Sequence, residues 1–205
     1  MNVIATSLAG CLIVEPKVFG DHRGFFFEAF NTARPIDPTA PIVAQQINVS
    51  RSARGVLRGL HYQWPQPQGK LVWVLEGEVF DVAVDLRKGS STFGQWEGCL
   101  LSQSNHRQLW VPEGFAHGFQ VVSESATFCY VCTRPYQAEF DRAIHYADPQ
   151  IAVEWPDAKN AILSDKDKSA PQLAALQDPI TDENSRNRRK WPTRVRAAAR
   201  AIHIW

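Results

Sequence analysis

Residues 55–77 read GVLRGLHYQWPQPQGKLVWVLEG. Five residues separate Gly55 from His61, one separates His61 from Gln63, and six separate Lys70 from Gly77. This is the spacing of a three-ligand metal motif, whose positions ordinarily hold His, His and Glu. Here they hold His61, Gln63 and Lys70. Divalent metals take neutral imidazole and neutral or anionic donors, whereas lysine presents three N–H donors and a positive charge and ligates only after losing a proton. The segment therefore reads as a site built to hold an anion rather than a cation.

Around this stretch the dominant period is two. In EVFDVAVDLR (78–87) Phe80, Val82, Val84 and Leu86 alternate with Val79, Asp81, Ala83 and Asp85, a strand signature with one strongly apolar face. Gly77 makes the turn into it from LVWVLE. Short β-rich runs follow at similar intervals, EGCLL, RQLWVP, GFQVV and ATFCYVCT, separated by Gly, Pro, Ser and Asn clusters. Many short, regularly spaced strands predict an all-β sandwich or barrel. Helix signals are few, and SDKDKSAPQLAAL (164–176) is the candidate.

The 205 residues, 44% hydrophobic with a formal charge of +1, suffice for one domain with a sizeable core. No apolar run approaches the roughly 20 residues that span a bilayer. LAGC near the start resembles a lipoprotein cleavage site, but no Lys or Arg precedes it and the apolar stretch is short, so CLIVE reads as a first strand. Cys11, Cys99, Cys129 and Cys132 make no small-secreted disulfide framework, which fits a reducing cytoplasm. Cys129 and Cys132, three apart on one strand, point to opposite faces and cannot readily chelate or bridge.

The charge is divided unevenly. Residues 184–205 hold seven Lys or Arg and no acid, and the remaining 15 bases against 21 acids leave residues 1–183 at −6. Such an arm can mark a nucleic-acid or membrane contact. With Trp191 and Trp205 it reads instead as an arm docked on its own acidic domain or on a partner subunit, so neither nucleic acid nor membrane is expected.

PEGFAHGF supplies Pro112, Gly114 and His117 in a P-x-G-x-x-H spacing that would bring His117 to the same cavity as His61. A histidine base beside a lysine is what deprotonation next to a carbonyl requires: the imidazole takes the carbon-bound proton and the ammonium stabilises the enolate oxygen. A lone histidine in such a fold is ordinarily structural, Asp81 and Asp85 read as strand and loop supports, and Arg23 in GDHRG as a surface charge.

The motifs FGDHRGFFFEAFN, GVLRGLHYQ, QGKLVWVLEGEVFDVAVDLRKGSSTFG, RQLWVPEGFAHGF and LSDKD, in this order from about Val3 to Leu173, resemble the dTDP-4-dehydrorhamnose 3,5-epimerases, which are metal-free cupins. The resemblance implies a cupin jelly-roll barrel with short C-terminal helical segments, a domain over residues 1–176 and a basic extension over 177–205. It implies a homodimer, no cofactor, and a 4-keto-6-deoxyhexose on a nucleoside diphosphate as substrate. Motif by motif, the general base falls on His61, its acid partner on Asp167, the enolate-stabilising lysine on Lys70 and the proton-returning tyrosine on Tyr130, with Tyr136 as the alternative acid. Arg23, Phe26, Glu28, Gln46, Asn48, Arg58 and His117 match nucleotide-sugar contacts. Arginine offers bidentate donors to a pyrophosphate, and Phe19 with Phe26 would sandwich the pyrimidine.

The family usually has an arginine where this chain has Trp73, and a tyrosine pair where it has Pro135 and Tyr136. Both changes are expected near the cavity and bear on which carbons invert. Relatives that invert only C3 or only C5 share the same base, lysine and tyrosine, so single inversion stays open. Two other classes remain: a metal-dependent cupin such as a dioxygenase, which Gln63 and Lys70 oppose, and a non-catalytic sugar-nucleotide binder, which would have lost the base.

Overall fold

The structure is a computed structural model that describes residues 1–36, 42–178 and 180. Its strands run in chain order as β1 (Asn2–Ala5), β2 (Leu12–Glu15), β3 (Val18–Asp21), β4 (Gly24–Phe27), β5 (Gln46–Ala53), β6 (Leu57–Gln63) and β7 (Lys70–Glu76). They continue as β8 (Glu78–Asp85), β9 (Trp96–Ser102), β10 (Gln108–Val111), β11 (Phe115–Val121), β12 (Ser125–Cys132) and β13 (Asp141–Ala143). A six-stranded sheet of order β1-β2-β10-β7-β12-β5 faces a five-stranded sheet of order β13-β6-β11-β8-β9. All their pairings are antiparallel. This is the cupin jelly roll implied by the motifs. Among the described residues β3 and β4 pair only with each other.

The period-two pattern sets what each strand faces. Val72 and Val74 of β7 join Val79, Ala83, Leu101, Leu109, Phe119 and Phe128 in the core between the sheets. Leu71 and Trp73, the alternate residues, pack outside the six-stranded sheet with Ile42, Trp110, Cys129 and Val131. Trp73 therefore points away from the barrel interior, contrary to its expected place near the cavity. In β8 the more apolar face, with Val82 and Val84, also looks outward. It lies with Leu86 under the C-terminal segment, against Ile144, Ile151, Trp155, Leu173 and Ile180. The strand is covered on both faces, and its inner face sets Val79 and Ala83 beside the buried Asp81 and Asp85.

The C-terminal segment carries little helix. The helix candidate resolves into one turn, α1 (Asp165–Lys168), and a 3-10 turn at Leu173–Ala175, interrupted at Pro171. Ser164 caps α1, its Oγ accepting from Asp167 N at 3.1 Å. Beyond residue 176, Asp178 accepts from the Tyr62 hydroxyl at 2.9 Å and Ile180 is buried in the outer core. Residues 181–205, with the basic arm, lie outside the described residues.

Candidate active site

Where β6 and β11 run side by side, Gly59 and Gly118 let the backbones approach closely. A Cβ at Gly59 would meet Gly118 Cα at 2.6 Å, and Gly59 holds φ +130°, which side chains other than glycine avoid. Two residues on, His61 stands opposite His117 in the register. His61 Nε2 lies 2.6 Å from Asp167 Oδ1, and its Nδ1 has no hydrogen bond among the described residues. With Nε2–H donated to the carboxylate, Nδ1 is the free lone pair of a base. Asp167 is 2% exposed. Burial alone would raise its carboxyl, but the His61 hydrogen bond and charge, with Ser164 and Lys166, outweigh this and hold it below the usual carboxylate range.

His61 lines a cavity of about 270 Å³ together with Lys70, Tyr130, Cys132, Asp141 and Lys166. His61 comes from the five-stranded sheet, and Lys70 and Tyr130 from the six-stranded sheet opposite. Lys70 opens β7, directly across from Cys132 of β12. Among the described residues no carboxylate lies within ion-pair distance of it. Burial pushes its ammonium below the ordinary lysine value, against the opposing pull of Cys132, Asp141 and Asp81. Burial likewise raises the Tyr130 phenol, with Cys132 adding to the effect and Arg58 opposing it. Tyr130 is thus a protonated donor at neutral pH, and Lys70 stands at the cavity wall with no carboxylate paired to it among the described residues.

Gln46 and Asn48 also line the cavity, tied to each other by a 2.8 Å amide hydrogen bond. Tyr136 stands at its edge, donating its hydroxyl to Asp141 Oδ2 at 3.0 Å while its backbone N–H donates to Gln46 Oε1. Gln63, at the former metal position, spends its amide on the Gln66 carbonyl and the Gln137 N–H. Several wall residues had no role in the sequence reading, Tyr62, Gln68, Lys166 and Asp141 among them. Lys166, inside the quoted LSDKD, forms an ion pair with Asp141, which follows the irregular stretch after β12. Only the register of β13 against β6 brings Asp141 opposite Gln63.

The other expected contacts lie off this wall. His117 is 7% exposed and its Nε2 faces Asp81 at 2.9 and 3.0 Å. Asp85, as expected of a loop support, receives hydrogen bonds from Arg87, Ser90 and Thr92. Arg58 is exposed, its Nε donating to Ser52 Oγ at 3.1 Å. Arg23, Phe26 and Glu28 belong to the β3–β4 hairpin and its exit, and none lines the cavity of its own chain. Arg23 pairs with Asp21 at 2.6 Å, Glu28 with Arg34 at 2.5 Å, and Phe26 is 68% exposed. Among the described residues no three His, Cys, Asp or Glu converge to hold a metal. Cys129 and Cys132 face opposite sides of the sheet, as their spacing predicts.

Comparison with known proteins matches this geometry to one family. The dTDP-4-dehydrorhamnose 3,5-epimerase model matches residues 5–175. The chain is 54% identical over 169 residues to the dTDP-4-dehydrorhamnose 3,5-epimerase of Shigella flexneri, covering 82% of this chain and 93% of that one. It is similar to the crystal structure of the dTDP-6-deoxy-D-glucose-3,5-epimerase of Legionella pneumophila Philadelphia 1 in complex with dTDP-4-keto-L-rhamnose. There the TM-score is 0.83 at 53% identity, covering 85% and 94% of the two chains. A 3'-monoepimerase of Streptomyces bikiniensis in complex with dTDP-quinovose is also similar, with a TM-score of 0.76 at 32% identity over 83% and 87%. With the motifs, the two-sheet barrel and more than half of aligned positions shared with two such enzymes, the chain belongs to the dTDP-4-dehydrorhamnose 3,5-epimerase family.

Proposed function

We propose that this enzyme inverts C3 and C5 of a nucleotide-linked 4-keto-6-deoxyhexose, converting dTDP-4-dehydro-6-deoxy-D-glucose to dTDP-4-dehydro-L-rhamnose. Both carbons lie next to the C4 ketone, so one base and one enolate clamp serve both steps. His61 Nδ1 takes the α-proton, Asp167 stabilises the imidazolium, Lys70 holds the developing enolate oxygen, and Tyr130 returns a proton to the opposite face. The observation that carries this reading is one cavity lined by a carboxylate-held His61 from one sheet and by Lys70 and the Tyr130 phenol from the other.

The magnitudes require these groups to act together. A ketone's α-proton is many pKa units less acidic than imidazolium, and each unit is about 1.4 kcal/mol. One oxyanion donor contributes roughly 3–4 kcal/mol and orientation about 7–11 kcal/mol. Neither Lys70 nor His61 closes the gap alone.

The nucleotide end of the substrate calls for a second copy of the chain. Arg23, Phe26 and Glu28 sit on a hairpin that pairs with no other strand and leaves Phe19 and Phe26 bare. The exposed edge strand β5, with Ile47 63% and Val49 61% exposed, offers apolar surface for association. In the homodimer the hairpin of one copy closes the cavity of the other. Four free, buried cysteines are consistent with a cytoplasmic enzyme.

Proton NMR with dTDP-4-keto-6-deoxyglucose in D2O tests the reading, because it reports deuterium entry at C3 and C5 separately. Exchange and inversion at both carbons are expected. Exchange confined to C3 or to C5 would make this a mono-epimerase, and none at either would leave a binding module.

A further inference from the structure

The hairpin that carries Arg23 and Phe26 lacks a strand partner in either sheet, yet one barrel side chain grips it. The ring of His106, in the turn between β9 and β10, lies 4.6 Å from the Phe25 ring and 5.2 Å from the Phe27 ring, tilted 46° and 42° to them. His106 holds φ +53°, a left-handed conformation that His, Asn and Asp adopt more readily than most residues.

Strand alternation then decides what the hairpin shows. Phe25 and Phe27 lie on one face of β4, and Phe26 on the other. Phe19 is the cross-strand partner of Phe26 and so shares its face. His106 holds the first face. The second has no such barrel ring against it among the described residues: Phe19 is 54% and Phe26 68% exposed, beside 63% for Phe25, and Lys17 Nζ lies 4.9 Å over the Phe19 ring. Two exposed aromatic rings with a lysine at one and an arginine in the adjoining turn form a surface suited to a flat base joined to a pyrophosphate.

We infer that His106 is a positioning residue for nucleotide binding. Through Phe25 and Phe27 it fixes which face of the hairpin is presented, so that Phe19, Phe26 and Arg23 reach the second copy's cavity already oriented. This rests on the hairpin acting across the dimer as proposed above. A hairpin released from His106 must be ordered at each binding event, which weakens binding and spares the chemistry of bound substrate.

The test compares His106→Asn, which keeps a residue tolerant of the left-handed backbone but removes the ring, with His106→Phe, which restores an aromatic contact. Steady-state kinetics and dTDP binding are measured alongside melting temperature and oligomeric state. His106→Asn is expected to raise both KM and the Kd for dTDP about 5- to 20-fold, with kcat within about twofold, and His106→Phe to return KM toward wild type. Phe25→Leu, on the other side of the contact, is expected to raise KM in the same way. If Arg23→Ala raises KM while His106→Asn and Phe25→Leu leave it unchanged, the His106 inference fails alone. If Arg23→Ala and Phe26→Ala also leave KM and Kd unchanged, the hairpin is no part of the site and both readings fall.

Discussion

His61 Nε2 and Asp167 Oδ1 stand 2.6 Å apart although 106 residues separate them in the chain. The barrel strand supplies the imidazole, and a single capped helical turn supplies the carboxylate. Asp167→Asn keeps the shape but offers an amide donor to Nε2, which favours the tautomer with Nδ1 protonated and removes the base. Deuterium entry at C3 and C5 should fall about 10²- to 10⁴-fold with KM little changed. Undiminished exchange would take the base role away from this pair.

The same contact predicts a pH dependence of stability. The Asp167 carboxyl is held below its unfolded value in the folded protein, so its contribution is present above about pH 4 and is lost as pH falls through the folded value. Urea midpoints of wild type and Asp167→Asn should therefore differ at pH 7, and the difference should shrink as pH falls below about 4. A difference that persists in acid would mean that the carboxylate's charge is not what stabilises the contact.

Lys70 predicts the opposite trade. Burial disfavours its ammonium, so the folded chain binds that proton more weakly than the unfolded chain, and stability is reduced until pH rises past the unfolded value near about 10.4. Lys70→Met, which puts an apolar chain of similar length in its place, should abolish epimerisation. At pH 7 it should raise the melting temperature by about 2–4 °C, the shift expected for about 1 kcal/mol in a chain of this size. The gain should shrink by about pH 10. A variant that is less stable at neutral pH would show that Lys70 is structural.

Base and acid on opposite sheets should fail differently. His61→Asn should stop deuterium entry at both carbons, since no enolate forms. With Tyr130→Phe, His61 still forms the enolate and returns a deuteron to the same face, so exchange survives while inverted product drops sharply. Both variants must first be shown to bind dTDP. Equal loss of exchange and inversion in Tyr130→Phe would shift the acid role to Tyr136, which stands at the same cavity.

The barrel was legible because its strands are period-two runs, and His61, Lys70 and Asp167 because they lie in the quoted motifs, whereas Tyr130 stands in none of them and came only from the resemblance. Direction was harder to read. The alternation in β8 showed one strongly apolar face without saying where it looks; the C-terminal segment covers it from outside and leaves Asp81 facing in toward His117. No local pattern announces that cover, whose residues 144–180 carry almost no regular structure. Lys166 and Asp141 were missed because an ion pair between a helical turn and a strand 25 positions away leaves no spacing in the sequence.

Trp73 shows the same limit in a testable form. Its place where the family usually has an arginine suggested the cavity, but the strand turns it outward, where its indole N–H is buried with no hydrogen-bond partner among the described residues. Trp73→Phe removes that unpaired donor along with some packing volume, effects of opposite sign. The ratio of C3 to C5 exchange should stay unchanged and stability should move by no more than about 1 kcal/mol. A changed ratio would mean that the outer face of the six-stranded sheet reaches the substrate.

The sharing of one site between two copies can be read from activity alone. His61→Asn subunits have an intact hairpin and a dead cavity, and Arg23→Ala subunits the reverse. If the hairpin acts across the two-fold axis, a heterodimer contains one site with both defects and one with neither. Random pairing of equal amounts, by co-expression or by refolding a mixture, makes half the dimers mixed. About a quarter of wild-type activity should then appear where each parent has little. If the hairpin serves its own chain's cavity, every site keeps one defect and the mixture shows only the average of its parents. Separating the species by differently tagged subunits makes the comparison direct, since the purified heterodimer should have half the activity of the wild-type dimer in one case and almost none in the other.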